Sequence, residues 1–284
     1  MTIRVGCVPE HFSAPLLYAL DHGGFKDCEI ELVICKFGTG DMVKRLIAGE
    51  LDVAICVTEG LIAGIGNNKD ANLRLFGTYV ESALPWAVSV AQDSKFSTLD
   101  DLAFGAIFGI SRMGSGSEVM ARYASSAYEW KTPRFEVLGD IDGLVRGVQE
   151  KRVDAFLWER TTMQRHYDRN EVRYLGTVRP PWPAFSFGAR EQFIRDNSQL
   201  LCKFREAVSC AVRTFMDMEE EQRLAFVCGK LGYSEEDVRK WAAYVCFSND
   251  MAVDQKRVEK VSAALHRAGV VVEKPAFEDV VLTP

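Results

Sequence analysis

Residues 42–56 read M-V-K-R-L-I-A-G-E-L-D-V-A-I-C, and residues 144–158 read L-V-R-G-V-Q-E-K-R-V-D-A-F-L-W. Each stretch is a short amphipathic run, a polar turn, an aspartate and then an apolar run, and aligning them sets Asp52 on Asp154. An amphipathic run followed by a nearly continuous apolar one is a helix feeding a buried parallel strand. Upstream, V-G-C-V at 5–8 falls in nearly the same register on F-G-I-S at 108–111, and both run into a polar loop ahead of a helix. A recurring unit of this kind predicts two similar α/β lobes.

Working outward, residues 2–8 predict a strand, 15–22 a helix ending near the Gly23-Gly24 pair, and 29–36 an alternating, half-buried strand. A helix over 41–48 and a strand over 51–57 complete a βαβαβ order, the signature of an α/β sheet. Beyond about residue 188 the pattern turns helical. Leu201, Phe204, Val208, Ala211 and Phe215 fall at spacings of three and four. A helix over 224–231 stops at Gly232, Ser234 with Asp237 resembles a capping box, and a last helix covers 253–266.

The 284 residues are 48% apolar and 26% charged, enough to bury a core. A formal net charge of -6 argues against a nucleic-acid backbone as the main partner. No apolar run is long enough to span a membrane, and residues 2–8 begin a strand at once, so the start carries no export signal. The eight cysteines form no C-x-x-C pair. They read as small buried hydrophobes in a reducing compartment, which predicts a cytoplasmic protein with no metal site.

The chain resembles the type II periplasmic-binding-protein family. The residues that carry the resemblance are G-T-G-D at 38–41, G-E-L-D-V-A-I at 49–55, W-A-V-S-V at 86–90, S-T-L-D-D-L-A-F-G at 97–105, S-R-M-G-S-G-S at 111–117 and V-D-A-F-L-W-E at 153–159. They run in the family's order over about two thirds of the chain. The branch of aliphatic-sulfonate and thiamine-pyrimidine-precursor binding proteins, with the thiamine-pyrimidine synthases, is the most similar. Within it the chain looks like the leaderless intracellular proteins described from fungi. The resemblance implies two lobes joined by strands crossing near 86–91 and 183–188. Lobe one is then residues 1–89 plus 185–284, lobe two is residues 90–184, and a small-molecule ligand lies between them.

Four loops are expected in that cleft, beyond the carboxyl ends of the strands. In the first, Ser13 stands near a helix start with His11 and Phe12 beside it, a set that could grip an anion or carbonyl. In the second, Gly38 and Gly40 let the backbone approach a ligand and Thr39 offers a hydroxyl. The third is Thr58-Glu59, whose carboxylate could take an amine or ring N–H. The fourth, Ser111, Arg112, Gly114, Ser115, Gly116 and Ser117, is the strongest: serines and glycines at a helix start make an anion nest, and Arg112 adds a planar bidentate grip. Trp158 and Glu159 face the cleft by the repeat, and Tyr79, Ser82, Trp86, Trp182 and Phe185 flank the crossings, where aromatics could sandwich a flat ligand.

Catalytic signatures are missing. There is no H-E-x-x-H, no G-x-S-x-G and no Walker loop. Against the thiamine-pyrimidine synthases the chain departs in all that matters: R-P-P-W-P-A-F-S-F at 179–187 replaces a cysteine-rich stretch, and Cys56 and Gly60 stand where the cofactor lysine and the histidine are expected. The expected function is a solute-binding protein that closes on a small polar, anionic or heterocyclic ligand, without cofactor or catalytic residues. Two alternatives stay open: an enzyme on the same scaffold, using Glu59, Glu159 or His11 as acid or base, and a ligand-sensing partner of another protein. The oligomeric state cannot be read from the residues.

Overall fold

The computed structural model describes residues 1–26 and 28–284. Two five-stranded sheets form the frame. The strands in chain order are β1 (Ile3–Cys7), β2 (Ile30–Ile34), β3 (Val53–Val57), β4 (Leu73–Val80), β5 (Trp86–Val90), β6 (Ile107–Ile110), β7 (Arg134–Val137), β8 (Ala155–Glu159), β9 (Arg173–Val178) and β10 (Phe185–Arg190). The first sheet runs β2-β1-β3-β10-β4 and the second β7-β6-β8-β5-β9. The two orders are the same pattern written twice, as the internal repeat predicts. β3 and β8 are the strands of the repeated stretches, and Asp52 and Asp154 do matching work at their starts. Asp52 accepts from the Arg4 amide at 2.9 Å and Asp154 from the Ile107 amide at 2.8 Å.

Each sheet holds one antiparallel strand: β5, which opens the continuous second sheet, and β10, which returns to the first. β5 pairs with β8 and β9, and β10 with β3 and β4. The chain therefore changes sheet within 81–85 and 179–184. The expected boundaries need correction on this point: Trp86–Val90 stands wholly in the second sheet, so residues 86–89 belong with lobe two. The turn-forming E-S-A-L-P at 81–85 makes the crossing, while the alternating W-A-V-S-V is an ordinary paired strand.

The C-terminal third packs on both lobes. Helix Ser198–Asp217 lies against helix Ala14–Asp21, and Leu201, Phe204, Val208 and Phe215 are all buried on it. Helix Gln255–Arg267 touches Thr58–Asn67 of the first lobe and Gly116–Ala127 of the second. Helix Glu235–Tyr244 opens with the predicted cap, Ser234 Oγ accepting from the Asp237 amide at 3.2 Å. No helix among the described residues is long and apolar enough to cross a membrane. All eight cysteines are free; Cys7, Cys28, Cys35 and Cys56 are buried, but Cys202, Cys210 and Cys246 are exposed, which corrects the expectation that they act mainly as core residues.

Candidate functional site

Helix starts converge where the lobes meet. Thr39–Ile47 and Thr58–Asn67 begin there from the first lobe, Gly116–Ala127 and Arg160–Asp168 from the second. A helix start presents unpaired amides and partial positive charge, so the junction favours anions. Between the lobes lies a chamber of about 70 Å³. Its walls include Gly38, Thr39 and Phe185 from the first lobe and Trp86, Ser111, Arg112, Ser115, Gly116, Ser117, Trp158 and Glu159 from the second. These are the expected residues that the fold brings together.

Arg112 is the outstanding group. Its guanidinium crosses from the second lobe and lies on Gly40 of the first, where a β-carbon would stand 2.9 Å from Nε. Only glycine leaves that space. Nε is buried without a hydrogen-bond partner, and Arg112 forms no salt bridge among the described residues. Burial pulls the guanidinium below its usual value, with Asp41 acting the other way. An unpaired buried donor on a cation is costly and calls for an acceptor. Around it, Ser115 caps its helix, accepting from the Glu118 amide at 3.4 Å, and Ser115 Oγ and Ser117 Oγ are 2.9 Å apart. Gly38 precedes helix Thr39–Ile47 at φ 71, the left-handed region that favours glycine.

Several expected site residues serve the frame instead. Thr39, although on the wall, accepts from the Val57 amide at 2.9 Å and ties its helix to β3. Ser13 stands at the N-cap of helix Ala14–Asp21, as expected, but its side chain makes no cap bond: Oγ donates to the Val8 carbonyl at 2.7 Å. Phe12 is buried on Phe185, ring centroids 4.8 Å apart, and its carbonyl accepts from Tyr79 Oη at 2.9 Å. Thr58 Oγ1 pairs with Ser186 Oγ at 2.8 Å. Ser82 Oγ accepts from the Cys246 amide at 3.1 Å, fixing the crossing segment. Gly114 faces a different hollow, beside Gly40 and Gly269.

Of the expected titratable residues, Glu159 lines the chamber and His11 and Glu59 do not. His11 does not reach the chamber wall. Its ring packs on Phe12, Tyr233 and Trp241, both nitrogens lack partners, and burial with Arg165 nearby pulls it down to about 3. Its Nε2 stands 3.9 Å from Glu159 Oε1. Glu159 lines the chamber, but its oxygens accept from the Thr161 and Thr162 amides at 2.9 and 2.7 Å, capping helix Arg160–Asp168. Burial still raises it. Glu59 is fully buried beneath the chamber. Its Oε2 accepts from Trp182 Nε1 at 2.9 Å, while Oε1 and the nearby Trp86 Nε1 have no partner. Burial pushes it up to about 7.

Five wall residues lie outside the expected set: Val8, Glu10, Phe37, Val57 and Leu84. Glu10 lines the chamber and is pushed up to about 8 by burial, with the Glu159 charge adding to the effect. Phe37 lines it while 58% exposed. A signal for Glu10 and Phe37 existed in the sequence: each lies at the end of a predicted strand, next to a loop already placed in the cleft.

Tyrosines from the C-terminal third bridge to lobe two. Tyr233 Oη meets Thr162 Oγ1 at 3.0 Å, and Tyr244 Oη meets Thr161 Oγ1 at 3.3 Å and donates to Glu159 Oε1 at 3.4 Å. No group of His, Cys, Asp and Glu among the described residues is arranged to hold a metal ion.

A family profile described as Ca3427-like PBP, a group of periplasmic binding proteins, matches residues 86–178. Among solved structures, the Candida albicans CA3427 gene product is similar at 29% identity and a TM-score of 0.89, covering 97% of this chain and 92% of that one. It is described as defining a family with the generic periplasmic-binding-protein fold. The alkanesulfonate-binding protein SsuA from Xanthomonas axonopodis pv. citri, bound to MOPS, is 12% identical at a TM-score of 0.82, covering 100% of this chain and 98% of that one. The periplasmic aliphatic sulphonate binding protein SsuA from Escherichia coli is 16% identical at 0.70, covering 100% and 92%. At these identities the two SsuA proteins show a shared fold. The search of the curated proteins found no match.

Proposed function

We propose that this chain, which has the periplasmic-binding-protein fold, binds a small anionic ligand between its lobes and closes over it. The observation that carries this reading is the buried, unpartnered Nε of Arg112 at the junction of the lobes. An anion accepted there relieves the unpaired donor and meets two helix starts, one from each lobe. Contacts to both lobes favour the closed arrangement over an open one, which is how a ligand drives hinge closure. The SsuA neighbours make sulfonates the first class to try. Eight free thiols suit a reducing compartment and support a cytosolic place of action.

The test is calorimetry and thermal unfolding with small sulfonates, carboxylates and pyrimidine precursors. A ligand at 100 times its Kd adds about 2.7 kcal/mol, which at this chain length raises Tm by roughly 4–5 °C. Arg112→Gln should weaken binding by roughly 10- to 100-fold, the worth of a charge-assisted hydrogen bond. Equal binding by both proteins would refute the reading.

Glu10 favours a second reading. A wall carboxyl pushed up to about 8 has the protonation behaviour of an acid–base catalyst. Consumption of a bound ligand, abolished in Glu10→Gln, would make the protein an enzyme.

A further inference from the structure

The cleft has two chambers. Beside the inner one of about 70 Å³ lies an outer one of about 450 Å³. Val8, Glu10, Phe37, Gly38 and Trp158 line both, and so form the neck between them. By a measure in which one water takes roughly 10–15 Å³, the inner chamber holds a head group of a few heavy atoms and no ring. A larger ligand anchored at Arg112 has room to extend through the neck.

The neck has a flat, apolar character with one polar group. Phe37 comes from the first lobe and Trp158 from the second. Phe37 is 58% exposed, a phenylalanine that the core does not use. Beyond the neck, the Arg165 guanidinium rides over the Tyr233 ring at 5.1 Å and forms no salt bridge among the described residues. Of the groups around it, His166 is held by Glu171 at 2.6 Å and Asp140 caps the Gly143 amide at 2.9 Å, while Glu10 on the same wall feels the Arg165 charge, which draws it toward the ionised form.

We propose that the two chambers are one site for an elongated aryl or heteroaryl acid. Its acidic head sits at Arg112, its flat ring lies in the neck between Phe37 and Trp158, and a second acidic substituent reaches Arg165. This rests on the reading of the inner chamber as an anion site, and it adds what that reading lacks: a ring and a second charge. Aromatic contact in the neck favours rings over alkyl chains of equal charge.

The experiment is calorimetric titration of the full chain with butanesulfonate, benzenesulfonate and 4-sulfobenzoate. The proteins are wild type, Phe37→Ala, Arg165→Gln and Arg112→Gln, each checked for its unfolding midpoint. Benzenesulfonate should bind about 5- to 10-fold more tightly than butanesulfonate, the worth of a good aromatic contact. 4-Sulfobenzoate should gain about tenfold more, the worth of a charge-assisted hydrogen bond. Phe37→Ala should bring the aryl-to-alkyl ratio toward one, and Arg165→Gln should erase the gain of the second acid. Equal wild-type affinity for the aryl and alkyl sulfonates, or ratios that neither variant changes, would overturn this proposal and leave the anion site standing. Failure of all the sulfonates to bind, or their equal binding by Arg112→Gln and wild type, would overturn both.

Discussion

Replacing Glu59 with glutamine should make the protein more stable, and increasingly so as pH rises. Glu59 is fully buried and held neutral, its carboxyl pushed up to about 7 from an ordinary value of 4.5. A carboxyl raised on folding keeps its proton in the native state while the unfolded chain gives it up. Stability therefore falls as pH climbs from 4.5 through 7, and the full penalty is present above that. The shift corresponds to about 3 kcal/mol at 1.36 kcal/mol per pH unit. Glutamine keeps the shape and an oxygen for Trp182 Nε1, and it has no charge to gain. The gap between variant and wild type should be small at pH 5 and about 2–3 kcal/mol at pH 8. Glu10 titrates in both proteins and cancels in the difference. The assay is urea unfolding followed by tryptophan fluorescence at pH 5, 6.5 and 8, where the widening appears as a midpoint shift of roughly 1 M. A gap that does not change with pH would refute the reasoning, because a shape effect is constant and a proton effect is not.

Three further outcomes follow from the geometry. Gly40→Ala places a methyl 2.9 Å from Arg112 Nε, so the guanidinium must move; anion affinity measured by calorimetry should fall about tenfold, with little change in Tm. Tyr233→Phe and Tyr244→Phe each remove a hydroxyl bridging to lobe two; each should cost about 1 kcal/mol in denaturant unfolding, and small-angle scattering of the double variant should show a more open molecule. Gly143→Ala drives a β-carbon into the Leu138 carbonyl oxygen; thermal unfolding should drop by an amount equivalent to roughly 1–3 kcal/mol or more, since backbone rather than a flexible side chain must yield.

The sequence makes the frame readable because the repeat is local. An amphipathic helix, a turn, an aspartate and an apolar strand can be seen at 42–56 and again at 144–158, and both become matching parts of the two sheets. Ser234 and Asp237 were equally legible, since a cap involves neighbours in the chain. Of the fourth loop, Ser111, Arg112, Ser115, Gly116 and Ser117 reach the chamber wall while Gly114 turns to another hollow. What could not be read depends on distant partners. His11 looked like a cleft residue until Tyr233 and Trp241, more than two hundred positions away, closed over it. Ser13 and Thr58 found acceptors in the frame, at Val8 and Ser186. Glu159 sits where the repeat puts it, but helix amides, not a ligand, take up its oxygens. Glu10 and Phe37 went unselected because neither carries a motif of its own; their position on both chambers is a property of the assembled lobes.

The return of the chain to the first sheet also sets a timetable for biosynthesis. β10 lies between β3 and β4, yet it is made after the whole second sheet. While the ribosome produces the intervening hundred or so residues, roughly 5–20 s at ordinary rates, β3 and β4 wait with open edges and exposed apolar faces. An early product of this gene stopped before residue 185 would thus be an unfinished sheet rather than a small stable domain, and a natural client for chaperones.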